Sequence, residues 1–61
     1  MGHHAFLIRC SHNGPKDMPY RATTLGGGMV RADTKGEARR VFRAKHRDLR
    51  NLKIKTVEYW Q

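Results

Sequence analysis

The sequence predicts an α+β fold: a small antiparallel sheet of three strands with one helix packed on one of its faces, in the order ββαβ. Three observations predict it. Residues 5–11 alternate in the manner of a strand, Thr34-Lys35-Gly36-Glu37 has the spacing of a capping box that opens a helix, and apolar and lysine residues alternate again from Leu52. The chain is 61 residues long and carries 13 Lys+Arg against 5 Asp+Glu, a formal charge of +8. A chain of that length buries about 60% of its unfolded surface, enough for a thin two-layer core and too little for a deep substrate cavity. A single basic domain over residues 5–61 is expected, preceded by a tail at residues 1–4 whose glycine and paired histidines have the look of an expression scar.

In the first strand Phe6, Ile8 and Cys10 share one face, assigned to the core, while Ala5, Leu7 and Arg9 share the other. Asn13-Gly14-Pro15 and Pro19 mark a connection of the kind that joins antiparallel strands. Residues 20–25 read as the return strand. Gly26-Gly27-Gly28 then interrupts it before residues 29–32 resume extended structure. The preferred reading is one strand bent at a glycine bulge, and the alternative is a second hairpin that makes a fourth strand.

In the capping box the Thr34 hydroxyl accepts a backbone N–H from the third helical residue and Glu37 reaches back. Ala38, Val41, Phe42 and Leu49 then fall within roughly 100° of one another on a helical wheel, the stripe that docks on a sheet. Lys45 shares that side and must snorkel. The helix is expected to fade over residues 48–51. Beyond it Leu52 and Ile54 alternate against Lys53 and Lys55, and the alternation slips at Thr56-Val57. Val57 and Tyr59 therefore fall on the lysine face unless a bulge rotates them inward. A right-handed crossover sets the last strand beside the first, giving order 2-1-3 and leaving one sheet face uncovered.

The charge is concentrated. Residues 35–55 hold nine basic side chains against Glu37 and Asp48, which is +7 of the +8. On a continued helix Arg39, Arg43, Arg47 and Arg50 lie within about 80° of one another with Arg40 beside them, opposite the apolar stripe. Arginines at i and i+4 repel one another by a few tenths of a kcal/mol per pair, so helix stability does not favour this ridge. Guanidinium forks suit phosphates and carboxylates, because they donate two parallel hydrogen bonds to such groups. A second patch is expected on the last strand, where Lys53, Lys55 and Tyr59 interleave cations with an aromatic ring and Arg9 joins them across the sheet.

Little points to catalysis. No carboxylate pair, Ser/His/Asp set or Cys/His set can be assembled, and His12 with His46 as the acid and base of a small ribonuclease is the least poor enzyme reading. The glycine run is not a phosphate loop, since no Gly-Lys-Ser/Thr follows and no helix opens directly after it. His4, Cys10, His12 and His46 match no ligand spacing, so no metal and no cofactor is expected. The lone Cys10 forms no internal disulfide. Residues 5–8, the longest apolar run, are too few to span a bilayer and no signal-peptide core is present, so a cytoplasmic protein is expected.

Residues 30–42, followed by His46 and by residues 52–57, resemble a pattern in many tiny phage-encoded proteins, where an extended segment opens a helix and a short strand closes the sheet. Some anti-CRISPR proteins are similar in size and layout, and the ribosomal protein family LX is similar in its helix-to-strand portion. The resemblance covers about half the chain, residues 30–57, and implies stoichiometric binding to a host or phage macromolecule in the host cytoplasm.

Two functions are therefore carried forward. The first is a non-enzymatic basic module that binds DNA, RNA or a nucleoprotein through Arg39, Arg40, Arg43, Arg47 and Arg50, with Arg9, Lys53, Lys55 and Tyr59 secondary. The second is an anti-CRISPR-like inhibitor or adaptor whose arginines and uncovered sheet face, with Leu7 and Tyr59, dock on a host protein complex. Self-association through that uncovered face is compatible with either.

Overall fold

A computed structural model describes residues 4–60. The elements are β1 (His4–His12), β2 (Thr24–Ala32), α1 (Lys35–Lys45) and β3 (Lys53–Tyr59). All pairings are antiparallel and the sheet order is β2-β1-β3, as the crossover argument requires. The fold is thus the expected ββαβ sheet with one helix on one face. Strand β1 begins at His4, one residue into the expected tail, and pairs there with Ala32. Met1, Gly2 and His3 lie outside the described residues.

Phe6, Ile8 and Cys10 do face the helix and are buried, with Val30 and Ala32 from β2, Val57 from β3, and Ala38 and Phe42 from α1. Val41, Leu52 and Ile54 pack against the margin of this core. Strand β2 departs from expectation in two ways. It starts at Thr24, so Tyr20 to Thr23 belong to the connection, and it carries no bulge: every residue from Thr24 to Ala32 pairs with β1 in unbroken register. The glycines allow this instead of breaking it. Gly27 lies so close to β1 that a β-carbon there would run into the Ile8 carbonyl oxygen.

The irregularity sits in β3. Arg9 pairs with Thr56 but Cys10 pairs with Ile54, so Lys55 is the extra residue of a bulge. The bulge turns Val57 into the core and carries Tyr59 to the helix side, opposite Phe6, which decides the slip in alternation seen in the sequence. Tyr59 therefore leaves the lysine face. Its ring lies edge-on to Phe6 and to His4, and its hydroxyl is 3.0 Å from His4 Nδ1.

Helix α1 is capped as expected at its start. Thr34 Oγ1 accepts the Glu37 N–H at 3.1 Å, and the Glu37 carboxylate accepts a backbone N–H at 2.8 Å, that of Asp33. The helix stops at Lys45, before the expected 48–51. A competing set of backbone bonds explains the early stop: Lys16 N–H donates to the Asp48 carbonyl, Arg50 N–H to Gly14, and Asn13 N–H to Arg50. The chain past β1 thus pairs with residues 48–50, and Leu49 forms a bridge with Pro15 instead of continuing the helical stripe. Buried Asn13 completes this junction, donating to the Arg21 carbonyl and accepting from the Asn51 amide. Asn51 takes a left-handed φ of 51° that an Asn tolerates better than most residues.

Candidate nucleic-acid interface

The exposed side of α1 is set by its cap and its buried side. With Ala38 and Phe42 held against the sheet, Arg39, Arg40 and Arg43 are turned to solvent. Arg47, in the turn that follows, stays with them: Arg40, Arg43 and Arg47 line one open groove along the helix together with Glu37, Val41 and Ala44. Among the described residues no ion pair joins any of the four arginines to a carboxylate. Arg43 and Lys45 also lie in the last helical turn, where cations offset the negative end of the helix.

Arg50 does not belong to this surface. The helix has ended five residues earlier, so the wheel that placed Arg50 on the ridge no longer applies. Its Nη2 donates to the Lys16 carbonyl at 3.0 Å and its Nη1 is shut away from solvent, which makes it a strut across the junction behind the helix. Four of the five expected ridge arginines remain.

The secondary patch lies on the other side of the molecule. By the register of the sheet, the face away from the helix carries Arg31 beside Ala5, Met29 beside Leu7 and Glu58, Gly27 beside Arg9 and Thr56, and Leu25 beside Ser11 and Lys53. Arg9 and Lys55 border one shallow depression with Leu25 and Gly26. Arg9 Nε is 3.7 Å from Glu58 Oε2, an exposed pair of little energetic weight. Arg9, Lys53 and Lys55 are thus together, but back to back with the helix arginines, and Tyr59 is not among them. Arg31 is exposed on this face and was missed, because a strand bent at its glycines leaves the parity of residue 31 undefined.

The histidines of the ribonuclease reading have packing duties. His12 Nδ1 accepts the Gly14 N–H at 3.0 Å, and the His46 ring lies 4.4 Å from that of Phe42. Cys10 is a free, buried thiol whose pKa is pushed up by desolvation. Among the described residues there is no group of three or more His, Cys, Asp or Glu placed to hold a metal, and no helix long and apolar enough to cross a membrane. No family model matches this chain and no curated protein or solved structure matches it, so its functional reading rests on this geometry.

Proposed function

We propose that this protein is a non-enzymatic basic module that binds nucleic acid through Arg39, Arg40, Arg43 and Arg47. The observation that carries the reading is the groove lined by exposed Arg40, Arg43 and Arg47 along one side of α1, with exposed Arg39 outside it on the same helix, none of the four paired with a described carboxylate. Guanidinium groups held on a rigid helix and its following turn meet phosphates with little ordering cost, and the +8 charge draws a polyanion to the surface. The groove is open, and the carboxylate in its lining, Glu37, is engaged with the Asp33 N–H in the helix cap, which suits binding. Sequence preference is expected to be weak, since one helix without a partner helix has no fixed seat in a groove of the duplex. A cytoplasmic setting and a phage or mobile-element source belong to the same proposal, supported by the resemblance of residues 30–57.

The test is a fluorescence-anisotropy titration of labelled single- and double-stranded DNA and RNA at several salt concentrations. Four phosphate contacts predict that log K falls against log salt with a slope of roughly −3.6 on a duplex. Reversing Arg39, Arg43 and Arg47 to Glu, with the fold checked by circular dichroism, removes about one unit of slope per arginine. Absence of binding to all four forms near physiological salt sinks the reading and assigns the arginines to an acidic protein surface, the inhibitor or adaptor function.

A further inference from the structure

The two edges of the sheet are not alike. The β3 edge is blunted by the devices that keep strands from pairing with strangers: Lys53, Lys55 and Glu58 along its length and a bulge at its middle. The β2 edge has a single charge and no bulge. It runs nine residues in unbroken register with that charge, Arg31, near its end and no proline, and among the described residues it pairs on one side only.

Strand β2 is also a near-palindrome. About Gly27, Gly26 mirrors Gly28, Leu25 mirrors Met29, and Thr24 mirrors Val30, each pair alike in shape. Residues related by that symmetry have the same parity and so lie on the same face of the sheet. When one strand pairs antiparallel with a second copy about Gly27, Leu25 of each copy falls opposite Met29 of the other, on the face away from the helix. Both side chains are large, apolar and exposed, at 73% and 50%. Arg31 falls opposite Thr23, so no like charges are forced together, and the three glycines leave the centre free for close backbone approach.

We infer that the β2 edge is a self-association site, in which two copies join by β2-to-β2 pairing centred on Gly27 into one six-stranded sheet. The two-fold axis is normal to that sheet, so both helices lie on the same side and their arginine faces are presented together. This inference concerns the edge and stands apart from the nucleic-acid reading. Each copy carries +8, so added salt should strengthen the dimer by screening, opposite in sign to its effect on phosphate binding.

Sedimentation equilibrium without nucleic acid, from micromolar to millimolar protein at low and high salt, tests it. The wild type is expected to move from 7.1 kDa towards twice that mass, and more readily at high salt. The double variant L25K/M29K sets lysine against lysine at both cross-strand positions and should weaken association at least about tenfold. L25E/M29K sets Glu against Lys in this register and should restore association to near the wild-type level. Both positions are exposed, so the fold is kept, with circular dichroism as the check. A wild type that stays at 7.1 kDa at millimolar concentration and high salt overturns the inference, as does association that L25K/M29K leaves unchanged. Equal loss in the two double variants overturns the pairing about Gly27.

Discussion

Gly27 and Gly36 show how differently two glycines can be held. A β-carbon at Gly27 meets the β1 backbone at the Ile8 carbonyl, which cannot yield as a flexible side chain can, whereas at Gly36 its nearest neighbour is Thr34 Oγ1 at 3.9 Å. Gly27→Ala should therefore destabilise by about 1–3 kcal/mol, the range for strain forced into a packed site. Gly36→Ala should stabilise by up to about 1 kcal/mol through helix propensity. Chemical denaturation of both variants checks the opposite signs. Cys10 makes a second prediction at this scale. It is 2% exposed and desolvation raises its pKa, so a thiol reagent should reach it only when the chain unfolds. Since the folded thiol titrates above the unfolded one, its contribution to stability is present in full below the ordinary thiol range and is lost as pH rises through the folded value. A Cys10→Ala variant should show a smaller loss of stability on the alkaline side in parallel melts. The sequence showed Cys10 as core by alternation alone, but nothing local to Gly26-Gly27-Gly28 distinguishes a bulge from a close approach. That distinction belongs to the partner strand.

Among the elements, α1 has the start the sequence promised and an end it did not. Thr34 and Glu37 satisfy backbone donors at the first turn, a local arrangement written in four consecutive residues. Thr34→Ala should cost about 1 kcal/mol, read as a lowered midpoint in urea with an unchanged slope. The C-terminal end has no such signal. The stripe of Ala38, Val41, Phe42 and Leu49 is continuous in sequence, and the helix stops because residues 48–50 bond to Asn13, Gly14 and Lys16, more than thirty positions away. That competition removed Arg50 from the ridge and Leu49 from the stripe, while Arg39, Arg40, Arg43 and Arg47 remained as expected. In β3 the slip at Thr56-Val57 was visible as a choice between two outcomes, and pairing with β1 decided it for the bulge. Elements whose signals are local were thus legible to within a residue, as in β1, read over 5–11 and found over His4–His12. Those closed by distant backbone partners were not.

At the scale of the molecule the consequence is a thin body with two basic surfaces turned away from each other. One is the arginine side of α1, and the other is the open sheet face with Arg9, Arg31, Lys53 and Lys55. A single rigid polyanion bound to one side cannot also lie along the other, so the two patches of the sequence reading are rivals and not partners. The helix side is favoured because, among the described residues, none of its arginines is paired with a carboxylate, while the sheet face interleaves its cations with Glu58, Leu7, Leu25 and Met29. The most direct measurement compares two neutralised proteins in one salt-titrated anisotropy experiment. One has Arg39, Arg40, Arg43 and Arg47 changed to Gln, and the other has Arg9, Arg31, Lys53 and Lys55 changed to Gln, an equal loss of charge. Binding by the helix variant should fall at least about tenfold at physiological salt with a flattened salt slope, whereas the sheet variant keeps a slope near that of the wild type. Equal losses in the two would reduce the effect to net charge, and a greater loss in the sheet variant would contradict the assignment of the helix as the binding face.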